Sequence, residues 1–97
     1  MDAGLWVDRH RGIAGFGTRV LPLTAQEVAV LATLAEADGR VVSRTLLARR
    51  AGLRDASPRR ADSVLVALRR TIGQDAVKNI RGRGWALDAE AVVVDGT

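Results

Sequence analysis

Two periods of apolar residues divide this chain. Over residues 5–23 the apolar positions recur every second residue in short pieces: Leu5 and Val7 flank Trp6, residues 12–15 form a small-residue strand or turn, and residues 19–23 alternate again before Thr24. This predicts short strands joined by turns, a small antiparallel sheet. Phe16-Gly17-Thr18 supplies a reversal, and Pro22, which has no N–H for a ladder, makes the last strand an edge or an ending. His10 and Arg11 fall in a connecting turn. From Thr24 the period lengthens to that of a helix. Thr24-Ala25-Gln26-Glu27 is a capping box, in which the Thr hydroxyl serves the third helical N–H and the Glu carboxylate reaches back, with Leu23 and Val28 placed for a hydrophobic staple. The helix is expected to run to about Ala37, burying Val28, Leu31, Ala32, Leu34 and Ala35, with Gly39 as the left-handed residue that ends it. Val41 and Val42 then cross to Ser43, a second N-cap. Leu46, Leu47 and Ala51 mark the buried stripe of a helix ending near Gly52, with Arg44, Arg49 and Arg50 left outside.

The clearest amphipathic pattern lies in residues 57–73. Ser57 is a good N-cap and Pro58 sits at the first helical position, where a missing N–H is harmless. At 100° per residue, Ala61, Val64, Leu65, Leu68 and Ile72 share the inner face, and Arg59, Ser63, Val66 and Arg70 share the outer one. Arg60 and Ala67 border the outer face on one side, Asp62 and Arg69 on the other. Beyond this helix, residues 77–80 and 85–87 read as two strands joined by Arg81-Gly82-Arg83-Gly84. The alternate glycines permit the positive φ angles of a hairpin tip and leave Arg81 and Arg83 projecting from a thin ribbon, the shape of a minor-groove probe. Trp85 shares a face with Leu87 and is expected in the core. The last stretch, residues 89–97, has an apolar run among acidic residues and is expected to add a strand to the hairpin, pack on the body or act as a tether.

Composition sharpens this picture. Ninety-seven residues make a single domain, core about 5–88 and tail 89–97, burying about 60–65 % of its unfolded surface. There is no cysteine and a single histidine, which removes disulfides and thiolate metal sites, and no cofactor is expected. No signal peptide or membrane-length apolar run is visible, so a cytoplasmic location is expected. The net charge of +4 is unevenly spread: residues 40–83 hold twelve basic side chains against three acidic ones, a local +9, while the flanks hold three against eight, a local −5. A basic middle rich in arginine attracts phosphates, and equally an acidic protein.

The order of these parts, a sheet, a capped helix, a second helix after VVSR, a long basic helix and a hairpin reading RGRGW, resembles the winged helix-turn-helix effector domain of bacterial OmpR/PhoB-type response regulators over residues 5–88. LTAQEVAVLATLAEADGRVVSRTLL is similar to that family's first two helices, ADSVLVALRRTIG to its recognition helix and IRGRGWAL to its wing. The resemblance implies an α+β fold with three helices and a C-terminal hairpin wing. It also implies sequence-specific double-stranded DNA binding for transcriptional regulation, with residues 58–72 in the major groove and residues 81–84 in the minor groove. Carried over by position, Arg59, Arg60, Ser63, Val64, Ala67 and Arg69 lie at or near positions that meet bases or phosphates, Arg81 matches the wing arginine, Asn79 falls where a small polar residue meets a phosphate, and Arg44 is placed to reach the backbone. Arg70 on the outer face and Arg83 on the ribbon complete the basic surface. The resemblance further implies an additional N-terminal regulatory or enzyme-like domain in the parent protein, joined by a linker near Met1, and a domain that is monomeric alone and pairs head to tail on DNA.

The departures from the family are also informative. Val66 and Ala67 stand where many relatives carry polar or basic residues, leaving Val66 to read a thymine methyl or direct readout to be weak. The link between the second and third helices is shorter, with Ala51-Gly52 in place of a Trp-Gly; some relatives touch RNA polymerase there, so that partner stays open. A winged-helix module docking an acidic partner is the competing function, and Val66 and Ala67 are its support. RNA binding lacks an exposed aromatic pair for stacking. Catalysis has only isolated carboxylates, Asp62 on a helix surface and Glu27 in its capping box, and the Gly-Arg-Gly run lacks the spacing of a phosphate-binding loop.

Overall fold

The computed structural model describes residues 4–94; the linker expected near Met1 and the last three positions of the tail lie outside the described residues. Three strands open the chain, β1 (Leu5–Asp8), β2 (Ile13–Phe16) and β3 (Arg19–Val20). Three helices follow, α1 (Ala25–Glu36), α2 (Arg44–Arg50) and α3 (Pro58–Ile72), and then β4 (Val77–Ile80), β5 (Gly84–Leu87) and β6 (Ala91–Val94). β1 pairs antiparallel with β2, and β2 with β3, as the alternation predicts. The sheet is nevertheless mixed. β6 lies parallel to β1 on its other side, from Leu5 opposite Ala91 to Asp8 opposite Val94, giving the order β3-β2-β1-β6. The β-branched run of the tail therefore completes the N-terminal sheet, with Ala91 and Val93 half-buried and Val92 and Val94 outside.

The core is a single cluster in which the side chains of Leu5, Val7, Leu31, Leu34, Leu47, Leu65, Leu68 and Val77 are fully enclosed. α1 sits at its centre, touching β1, β5, β6, α2 and α3. That position explains why Val30 and Thr33, outside the expected stripe, are buried too; the Thr33 hydroxyl donates to the Ala29 carbonyl at 2.9 Å. Both halves of the capping box form: Glu27 N–H donates to Thr24 Oγ1 at 3.1 Å, and Thr24 N–H to Glu27 Oε1 at 2.8 Å. The exit differs from expectation, since Asp38 is already left-handed (φ 53°) before Gly39 (φ 86°). An Asp tolerates this conformation better than most residues.

α2 begins at Ser43, whose hydroxyl accepts from Leu46 N–H, and it buries Leu47 and Ala48, with Leu46 and Ala51 only half-buried. A 3-10 turn, Arg54–Ala56, links it to α3, with Asp55 and Ala56 left-handed (φ 60° and 48°). α3 starts with Ser57 accepting from Arg60 N–H and Pro58 in the first turn, and it buries Ala61, Val64, Leu65 and Leu68 against α1 and α2. β4 and β5 form an antiparallel hairpin in register Val77–Leu87 to Ile80–Gly84. Val42 joins it as a third, one-residue strand, exchanging hydrogen bonds of 2.8 and 2.9 Å with Trp85.

Candidate nucleic-acid interface

Three elements converge on one side of the molecule: the N-terminus of α2, the flank of α3 that carries Asp62 and Arg69, and the β4–β5 hairpin. Between them runs an open groove of about 760 Å³ whose lining includes Ser43, Arg44, Asp62, Asn79, Arg81 and Trp85. Because α3 turns Ala61, Val64, Leu65 and Leu68 inward, its period forces Arg59, Ser63, Val66 and Arg70 outward, and all four are exposed, as is Arg60. Ala67 is half-buried at the edge. At the hairpin tip Arg83 N–H donates to the Ile80 carbonyl at 2.9 Å, Gly82 takes φ 75°, and the side chains of Arg81 and Arg83 are left in solvent. Asn79 is exposed on β4, its amide 3.5 Å from the Gly84 carbonyl.

Two of the sequence-selected positions have other surroundings. Val64 is only 8 % exposed and belongs to the core, its inner-face periodicity outweighing its place beside the outer one. Arg69 is half-buried, with its guanidinium carbon 5.4 Å from the centre of the Trp85 ring, a cation–π arrangement. Trp85 itself is 3 % exposed, as expected for a core residue under the hairpin.

Sequence reasoning missed Asp62. Expected as an isolated carboxylate on a helix surface, it sits where the three elements meet: Oδ2 is 2.8 Å from Arg44 Nε, and Oδ1 accepts from the Trp85 indole N–H at 3.0 Å. The only signal available was the presence of an indole, an obligate donor that needs a partner when buried, 23 residues further on. At the base of the hairpin Lys78 Nζ lies 3.0 Å from Asp88 Oδ2. The hydrogen bond and the charge of Asp88 raise the Lys78 ammonium above its ordinary value of 10.5, so it is charged at neutral pH. Among the described residues no His, Asp or Glu cluster suited to a metal ion occurs, and no helix is long and apolar enough to cross a membrane.

A helix-turn-helix with a basic outer helix and a basic ribbon beside it defines a winged-helix domain able to hold a polyanion along one face. Residues 17–87 match the family model described as transcriptional regulatory protein, C terminal, and the chain belongs to this family, the OmpR/PhoB-type output domains that bind DNA sequence-specifically to regulate transcription. The family is one of transcription regulators and not a class of enzyme. Among solved structures the chain is similar to the DNA-binding domain of CpxR from E. coli, at 29 % identity over 97 % of this chain and 96 % of that one, with a TM-score of 0.73. It shares its fold with the DNA-binding domain of the response regulator AdeR, solved in complex with an intercistronic region (24 % identity, 92 % and 97 % coverage, TM-score 0.75). A streptococcal redox sensor evolved from two-component response regulators has the same fold at 22 % identity and TM-score 0.74, covering 89 % of this chain and 40 % of that one. No curated protein matches the chain.

Proposed function

We propose that α3 enters the major groove of a specific DNA duplex while the β4–β5 wing reaches into the adjacent minor groove. One observation carries this reading: Arg69 of α3 and Arg81 and Arg83 of the wing line a single groove, and Arg59, Arg60 and Arg70 are exposed on the same helix, so one duplex can meet both elements. Arg59, Arg60 and Arg70 supply phosphate or guanine contacts, and Ser63, Val66 and Ala67 leave a low surface over which base edges can approach. Each good base contact is worth about 1–3 kcal/mol of discrimination. Arg81 reads the width of the minor groove, and Arg83 and Asn79 hold the backbone beside it. The family's place at the C-terminal end of transcriptional regulators supports a regulatory domain before this one in the parent protein.

A salt series on a duplex selected from a randomised pool tests the placement. Arg81→Ala is expected to weaken binding by about 1–3 kcal/mol and to flatten the dependence of log K on log salt by about 0.9, the loss of one cation from the groove and its share of counterion release. Arg70→Ala should do the same from the helix side. A second reading, docking of an acidic protein on this face, draws on Val66, an apolar side chain 39 % exposed at the centre of the outer helix face. It predicts binding that selects no duplex and is indifferent to Arg81.

A further inference from the structure

Asp62 places a carboxylate in the floor of a face otherwise built from arginines. Its side chain is 36 % exposed and that of Arg44 49 %, so the pair is open to solvent and adds little to stability by itself. Its effect is geometric. The one carboxylate engages α2 through Arg44 and the wing through the Trp85 indole, while belonging to α3. Arg69, two turns further along α3, lies over the same indole. The two parts of the molecule that meet different grooves are thus tied through one residue.

The pairing also changes what Arg44 can do. Arg44 is the first residue of α2, where the helix dipole is positive and where the first turn has no acidic side chain. Left free, a guanidinium at the rim of a DNA-facing groove is a phosphate ligand for any sequence, since phosphate contacts carry no base information. Held at 2.8 Å through its Nε, it has a carboxylate beside its charge before any phosphate arrives.

Resting on the placement of DNA against α3 and the wing, we propose that Asp62 is a positioning residue that determines specificity. It withholds Arg44 from sequence-blind phosphate contact and fixes the wing against α3, so that major- and minor-groove contacts are made together or not at all. Selectivity then comes in part from a cation that is kept out of the interface.

The test compares wild type, Asp62→Asn, Arg44→Gln and the double variant on two duplexes of equal length, one selected from a randomised pool and one of mixed sequence, across a salt series. Asp62→Asn retains an oxygen for the Trp85 indole but offers Arg44 an amide. It is expected to tighten binding to the mixed duplex several-fold, to steepen its salt dependence by about 0.9, and to lower the ratio of selected to mixed affinity about tenfold. Arg44→Gln alone should leave the slope as in wild type, whereas in the Asp62→Asn background it should return the steepened slope to the wild-type value. A merely structural role would shift Tm and leave slope and ratio in place. The proposal is overturned if Arg44→Gln alone flattens the slope by about 0.9, because Arg44 is then a phosphate ligand already. It is equally overturned if Asp62→Asn steepens the slope whether or not Arg44 is present, since simple relief of repulsion then accounts for the change, or if Asp62→Asn leaves slope and ratio unaltered. Should Asp62→Asn fail to fold, Asp62→Ser, which also leaves Arg44 without a carboxylate, is read against the same outcomes. Failure of the underlying placement has a different signature: wild type enriches no duplex and ignores Arg81→Ala, and both proposals fall.

Discussion

Gly84 takes φ 143°, and a Cβ there would overlap the carbonyl of Val42, because β5 is laid directly against the segment between α1 and α2. Gly82, two residues away, also has a positive φ, 75°, but faces open space. Gly84→Ala is therefore expected to cost about 2–4 kcal/mol, backbone strain plus the disturbed Val42–Trp85 bonds, and Gly82→Ala only about 1–2 kcal/mol. Urea denaturation of the two variants checks the difference. The sequence shows both glycines as hairpin residues and does not separate them, since the distinction depends on Val42, distant in the chain. Asp62 is the same case. Helical spacing places it on a surface, and only the packing of three elements supplies Arg44 and Trp85. A third residue-scale effect is electrostatic. The Lys78 ammonium is raised above 10.5 by Asp88, so the stabilisation from this pair is complete below that value and lost as pH rises through the raised one. The difference in Tm between wild type and Asp88→Asn should stay constant from about pH 6 to about pH 9 and vanish in stronger alkali, as thermal melts across that range would show.

At the scale of elements, what is local in sequence is what the sequence reveals. The capping box of α1 depends on residues three apart, and both of its hydrogen bonds form. Thr24→Ala is expected to cost about 1 kcal/mol, measured by denaturant unfolding, and to leave the slope of DNA binding against salt unchanged because α1 lies behind the interface. The two faces of α3 are equally legible, as the helical period alone assigns Leu65 and Leu68 inward and Arg59 and Arg70 outward, and the burial agrees. α1 is less so: its stripe predicts one buried side, yet Val30 and Thr33 are enclosed because the sheet covers one flank and α2 and α3 the other. The turn into α3 was legible as a connection but not in its conformation. Nothing in Leu-Arg-Asp-Ala announces two consecutive left-handed residues, which immediately precede Ser57, the N-cap of α3.

For the molecule as a whole, the segregation of charge can be read from the sequence, and the structure gathers Arg44, Arg69, Arg81 and Arg83 of the basic stretch around one groove, while Arg40 and Arg50 line a different one. Closure of the N-terminal sheet cannot. A parallel pair has no connecting turn to mark its register, and β1 and β6 stand at opposite ends of the chain. Once formed, the pair covers the edge of β1, whose Leu5 and Val7 belong to the core, and β6 also packs on α1. Ordering four residues costs about 4–8 kcal/mol, which offsets most of the gain from the ladder bonds and from half-burying Ala91 and Val93. The net contribution is accordingly small, about 1–2 kcal/mol, and it acts on the body of the domain and not on the DNA-facing side. Truncation after Asp88 should therefore lower Tm by about 5–10 °C in calorimetry while leaving the salt slope and the selectivity for a selected duplex unchanged at temperatures where both forms are folded. Loss of selectivity with the fold intact would instead make the sheet part of the recognition apparatus, coupled through α1 to β5 and the wing.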